Sequence, residues 1–339
     1  MLQKNQTYEL STWTIAKFFL FILALFFLYY IRNVATFIFI VIILVAGFSP
    51  FVNWLVKKKV PRIIAVVILY LIIFSFFAFV IYLIIPPIVE QTSLISTNIN
   101  VYSEKLESIN KNVSDLLFQG KDALSFIGNS LSQMSGGVFN SFLAIFGSAA
   151  TALTVFVLTF YIIAQEDSIE KFILALVPKK QRHHVLTIYN KISVKLGNWL
   201  RGQIVLALII GITSYIILRI LGIQYALSLA FLAGVLEIVP IIGPIIAGLV
   251  AIGMAYLTGA AWWQIISIAI SYVVVQQLEA QYLVPKIMGK AVGLSPIIVI
   301  IALMIGAEVG GIIGAVLAIP IAAVIVVVIE QWPNLKKIK

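Results

Sequence analysis

The stretch "LEIVPIIGPI", residues 236–245, sits inside a long apolar run and breaks it with Glu237, Pro240, Gly243 and Pro244. The run spans 225–258, and as one straight helix it would extend about 51 Å, against a hydrocarbon core of about 30 Å. Two complete crossings would need about 40 residues and a turn besides. Two half-length helices joined by a turn fit the length. Pro240 and Pro244 each lack a backbone donor and end or kink a helix, and Gly243 permits turn conformations. Irregular backbone at membrane depth survives only where protein or a watery cavity surrounds it. The break therefore predicts the tip of a helical hairpin.

The rest of the chain supplies the membrane context. Its 339 residues are 62% hydrophobic and 11% charged, with a mean hydropathy of +1.11. A soluble domain is nearer half apolar and a quarter charged. Helical spans are expected at 13–31, 34–56, 63–88, 138–164 and 203–221, with an unbroken apolar run at 264–284. The fold class is an all-α polytopic membrane protein. The first run, Trp13–Ile31, is too long for a signal-peptide core and has no small-residue cleavage site, so it reads as an uncleaved span. The absence of Cys excludes disulfides, thiolate catalysis and Cys metal sites.

The net charge of +10 is explained by cytoplasmic loops, without a nucleic-acid partner. Lys57, Lys58, Lys59 and Arg62 place the loop between spans two and three inside, and hence the N-terminus inside. The segment after span three is acidic on balance, with Glu90, Glu104, Glu107, Asp115 and Asp122 against Lys105, Lys111 and Lys121, and falls outside. In that segment Ile95, Ile99, Tyr102, Leu106, Ile109, Val113 and Leu116 form a heptad seam. Two readings stand: packing within the chain, against Leu124–Met134, or self-association. The basic segment 165–202 returns inside, and after Pro178 its residues Val185, Ile188, Ile192, Leu196 and Trp199 share one face of an amphipathic helix at the cytoplasmic surface.

A second broken region, 296–329, repeats the device. "MIGAEVGGIIGAVLAIP" carries Glu308, then Gly310, Gly311 and Gly314, then Pro320. Each broken region follows an ordinary span, and the two units begin about 60 residues apart. If both regions are re-entrant, Lys286 and Lys290 fall inside; if both cross fully, they fall outside. The positive-inside rule favours two hairpins entering from opposite faces, the inverted repeat of many secondary transporters. The organisation expected is N-terminal spans over 1–92, an extracellular helical segment over 93–137, span four and the cytoplasmic helix over 138–202, a transport core over 203–330 and a cytoplasmic tail over 331–339.

Through "WLRGQ" (199–203), "LEIVPIIGPIIAG" (236–248), "QQLEAQYLVPKIMGKAVGLSP" (276–296) and "GAEVGGIIGAVLAIP" (306–320), the chain resembles the autoinducer-2 exporter family of bacterial permeases. The resemblance covers essentially the whole chain. It implies export of a small polar signal from a bacterial cell membrane, sodium or lithium/proton antiport in some members, and a homo-oligomer, a pentamer.

Candidate residues each have a plainer alternative. Glu237 and Glu308 precede the two breaks. An intramembrane acid is costly and marks function by default, but a carboxylate there would also satisfy backbone donors freed by the turn. Glu279, with Gln277 and Gln281 beside Gln276, forms a polar patch late in an apolar span, suited either to transport or to interhelical hydrogen bonding. Arg201 and Gln203 stand at a span entrance, where snorkelling also accounts for the arginine. His183 and His184 read as solvated. No HExxH motif occurs, and Gly128–Asn129–Ser130 lacks the second glycine of a nucleophile elbow, so no enzyme, metal or cofactor is expected. No GxxxxGK[ST] occurs either, so energy comes from a gradient of H+, Na+ or the solute itself. The leading expectation is a permease working by alternating access between hairpin tips that meet near mid-membrane. The rivals are a cation/proton antiporter and a passive oligomeric channel or scaffold.

Overall fold

The computed structural model describes residues 30–79, 149–165, 168–240 and 242–336, with scattered positions between 17 and 27 and residue 82. Most of span 13–31, the end of span three beyond 82, the outer segment with its heptad seam, the start of 138–164 and the last residues of the tail lie outside the described residues. The described residues are mostly helical, with no strand among them. The protein is an all-α polytopic membrane protein. Among the described residues, four runs are long and apolar enough to cross a bilayer. Their outward faces carry large apolar side chains such as Leu71, Phe74, Leu208, Ile212, Ile300 and Ile301, as lipid-facing helices require.

Helix α1 spans Arg32–Lys57, α2 runs over 62–79, and α3 is Ala149–Ala164. These three pack around Val41, Val52, Ala65, Val66, Val155 and Ile163. Polar side chains tie the packing down. The Arg62 guanidinium donates to the Ile163 carbonyl at 2.8 Å and to Asn53 at 3.2 Å, and the Tyr70 hydroxyl donates to the Phe156 carbonyl at 2.6 Å. A short helix α4, Ser168–Leu176, follows.

Helix α5, Arg182–Ile220, is the axis of the molecule. The surface helix and the span expected at 203–221 are one unbroken helix of 39 residues. The C-terminal part of its amphipathic face is spent on packing within the chain. Leu196, Trp199 and Leu200 are buried against Ile43 and Ala46 of α1 and Leu317, Ile319 and Ala323 of the last helix. Close approach to α1 depends on two glycines. A Cβ on Gly197 would stand 2.5 Å from the Ala46 carbonyl oxygen, and one on Gly47 would strike the Leu200 side chain.

Beyond α5, helices α6 (Ala226–Leu236) and α7 (Ile242–Leu257) form a hairpin. Leu229 clusters with Ala251 and Met254, Ala233 with Ala247, and Gly243 abuts the Leu236 carbonyl. The pairing runs antiparallel and its centre of symmetry is Pro240, where the composition placed the break. Helix α8, Trp262–Leu278, continues through a π-turn, Glu279–Leu283, into α9, Val284–Ala291. Gln264 anchors the start of α8 to α5 by donating to the Leu221 carbonyl at 2.7 Å.

The last helical run, α10 (Pro296–Lys336), is bent at Gly311, whose φ is 58° and ψ −139°. In a straight helix Gly306 and Gly314 would be about 12 Å apart. Here they touch: a Cβ on Gly314 would meet the Gly306 carbonyl oxygen, and one on Gly306 would stand 2.9 Å from the Ala318 Cβ. α10 is therefore folded at Gly310–Gly311 into two helical arms that touch at Gly306 and Gly314. The base of the first hairpin packs at the Leu218 end of α5. Residues near the base of the second, Val292, Val299 and Ile319, pack at the Leu196–Leu200 end.

Candidate functional site

The described polar and charged residues that are fully buried are Thr159, Gln203, Ser214, Glu237 and Glu279. Three of these five converge on one point. Glu237, 1% exposed, caps α6 at the first hairpin tip. Glu279, 5% exposed, opens the π-turn of α8. Their carboxyls hydrogen-bond one another, and the Oε2 of each has no partner among the described residues. Gln203 on α5, 3% exposed, donates its Nε2 to the Glu237 backbone carbonyl at 2.5 Å. The hairpin tip is thus tethered to α5 through its main chain, leaving the Glu237 carboxyl for Glu279.

Local sequence explains each placement. Glu237 follows directly on α6, where the turn through Val239 and Pro240 reverses the chain. A side chain on Gly243 would collide with the Leu236 carbonyl, so glycine is required for α7 to close onto the tip. Glu279 owes its position to Pro285. That residue has no N–H, and in a regular α-helix its ring would strike the carbonyl four residues back. The chain widens by a residue instead, and the Val284 N–H bonds the Glu279 carbonyl, five residues back. π-turns of this kind recur at functional sites.

A second polar element lies further along the same seam. Buried Ser214 on α5 faces Tyr272 on α8, and a Cβ on Gly248 would stand 3.2 Å from the Tyr272 ring. Between this pair and the carboxyls stands an apolar layer of Ile210, Ala233 and Ala247.

The remaining sequence candidates are placed differently. Gln277 and Gln281 bond each other at 3.3 Å on the exposed face of their helix, turned from the buried face that holds Glu279. Arg201 is exposed and donates to Asn198 at 2.6 Å. Glu308 is exposed, on the turn of helix before Gly310 and Gly311, with open space around both glycines. It takes no part in the cluster around Glu237. The first tip reaches the Gln203 level of α5, 15 residues or about 22 Å from Leu218 at the hairpin base. Of the breaks, Pro240, Gly243 and Pro244 shape the first tip; Gly310 and Gly311 form the second, and Gly314 is where its arms touch. Sequence reading missed the pairing of Glu237 with Glu279. The available signal was Pro285, six residues after an acid in an apolar helix.

Among the described residues no cluster of His, Cys, Asp and Glu has the numbers to hold a metal ion.

Comparison with known proteins relates the chain to transporters. Residues 18–334 match the family model described as AI-2E family transporter. The chain is similar to YueF of Bacillus subtilis (strain 168), named as a transport protein, with 27% identity over 302 residues, 85% of this chain and 78% of that one. It is similar to YrrI of the same organism, also named as a transport protein, with 24% identity over 269 residues, 76% of this chain and 74% of that one. A transport protein of Haemophilus influenzae is 24% identical over 308 residues, 85% of this chain and 84% of that one.

Proposed function

The chain belongs to the AI-2E transporter family, and from that premise we propose that it is a secondary carrier of a small polar organic solute, coupled to proton exchange at Glu237 and Glu279. The solute class is an autoinducer-2-like signal, moved outward by alternating access. The coarse statement, a multi-pass membrane transport protein, rests on the family and the apolar helices.

The observation that carries the proposal is the buried carboxyl–carboxyl hydrogen bond. Two carboxyls can share such a bond only if one of them donates a proton. Once it leaves, two like charges face each other in a low-dielectric setting, where repulsion is several-fold stronger than in water. Loss of the proton therefore drives the hairpin tip away from α8, and uptake draws it back. Proton occupancy and tip position are coupled by this pairing alone. The sequence offers no nucleotide-binding loop as another energy source. We assign the N- and C-termini to the cytoplasmic side of a cell membrane, and the heptad seam over 95–116 either to packing within the chain or to self-association.

A second reading, cation/proton antiport, is favoured by the two partnerless Oε2 atoms. After deprotonation they are hard oxygen ligands for Na+ or Li+. The deciding experiment uses purified protein in liposomes with an internal pH dye. A solute or Na+ gradient should move protons in the wild type and lose that ability in Glu279→Gln and Glu237→Gln, with folding and oligomer size unchanged. Proton movement with Na+ alone selects the antiporter. Wild-type pH dependence in both variants and in their combination refutes the coupling role.

A further inference from the structure

We propose that the groove between α5 and α9, at the Arg201 end of the core, is a binding site for a phosphate oxyanion, presented by a lipid headgroup or by a small soluble phosphate ester. The groove is lined by Asn198, Arg201 and Gly202 of α5 and by Ile287 and Ala291 of α9, and has a volume of about 260 Å³. It lies outside the buried carboxyl pair, and its failure or success leaves the carrier reading untouched.

Three observations carry the assignment. The first is the orientation of the guanidinium. The Arg201 Nη2 is held by the Asn198 Oδ1 at 2.6 Å, a bond that uses one donor direction of a planar group offering five. The others are free to form the two-pronged contact that suits a phosphate. The second is the shape of the wall. A Cβ on Gly202 would stand 3.2 Å from the Met288 sulfur and 3.3 Å from Ile287 Cγ2. Bare backbone at that position lets α9 approach α5, so one side of the groove is apolar and sheds water while the other presents the cation.

The third is the charge of the surroundings. From Lys171 to Leu236 the chain contains no Asp or Glu, and none occurs from Ala280 to Ala307. α5 carries Arg182, Lys191, Lys195, Arg201 and Arg219, and α9 carries Lys286 and Lys290. Both helices that make the groove are thus purely cationic. Basic pockets between membrane helices, at the level where basic residues meet the apolar run, hold lipid phosphates. A free phosphate ester satisfies the same chemistry.

Detergent-purified protein, titrated separately with dioctanoyl-phosphatidylglycerol and with glycerol 3-phosphate, tests the assignment by native mass spectrometry and calorimetry. Dioctanoyl-phosphatidylcholine, whose phosphate is offset by its own cation, is the control. At least one of the two anionic probes should saturate at one site per chain. Arg201→Gln should weaken it about 10-fold or more, as loss of hydrogen bonds to a charged group does. Arg201→Lys should recover part of the affinity, and Arg219→Gln, at the other end of α5, none of the loss. Saturation by the lipid alone assigns the site to a headgroup, and by glycerol 3-phosphate alone to a soluble solute. Absence of saturation by both probes overturns the proposal, as does unchanged affinity in Arg201→Gln. Asn198→Ala, which frees the guanidinium without removing it, guards against a folding defect in the arginine variants and should weaken binding by a smaller factor.

Discussion

Gly243→Ala adds one methyl group at the point where α7 closes onto the first hairpin tip. The new carbon would stand 2.5 Å from the Leu236 carbonyl carbon and 3.1 Å from the Glu237 nitrogen, with the Leu236 oxygen nearer still. Ordinary contact begins at 3.4 Å, so the two arms must part by more than about 0.9 Å, and the obstacle is backbone, which cannot rotate away. Overpacking of this kind costs about 1–3 kcal/mol, and a backbone obstacle puts the change at the upper end. Since 1 kcal/mol moves the midpoint of a chain of a few hundred residues by roughly 2–4 °C, thermal unfolding in detergent should begin several degrees lower. The displacement falls on Glu237, the neighbour of Leu236, so the carboxyl pair should come apart in the same variant. A misplacement of about 1 Å at a reacting group costs up to about 100-fold in rate, and proton exchange in liposomes should fall by a factor of that order. Gly289→Ala is the control. That glycine is in a helix with open space around it, and alanine there should stabilise by about 0.5–1 kcal/mol. A Gly243→Ala protein that unfolds and exchanges protons as the wild type does would refute the close contact, and with it the tip geometry.

Three further outcomes follow from the same geometry. Gln203→Leu strips the buried Glu237 carbonyl of its donor, so stability should fall by about 1–3 kcal/mol, read as a lower thermal midpoint, and Gln203→Glu should not restore it because a carboxylate offers no N–H. Glu308→Gln should leave the pH dependence of proton exchange unchanged while Glu237→Gln abolishes it; equal effects of the two would place Glu308 in the working site. The chain has no cysteine, so Lys290→Cys gives a single reporter: an impermeant maleimide should label it in inverted vesicles and not in intact cells, and labelling from outside would reject the two-hairpin topology.

The membrane class and both helix breaks are legible in the sequence. Apolar run length against bilayer thickness is a one-dimensional quantity, and Pro240, Gly243, Gly310 and Gly311 act on the backbone where they stand. The site was only partly legible for the opposite reason. Glu237 stood out because an acid in an apolar run is costly wherever the run goes. Its partner could not be read, since Glu279 lies 42 positions away and sits near lysines that argue for the membrane surface. Gln277 and Gln281 looked equally suited in sequence. A helix turns about 100° per residue, so the π-turn and the packing of α8 against α5 decide which residue of that patch is buried, and Glu279 is the one. The same rule separates Glu308 from Glu237. Both precede a break, but burial depends on what packs over the tip. The first tip is enclosed by α5 and α8, while the second stands exposed among the described residues. Pattern fixed where this chain turns and which residues are costly to bury; only the three-dimensional packing of α5, α6 and α8 determined which of those residues meet.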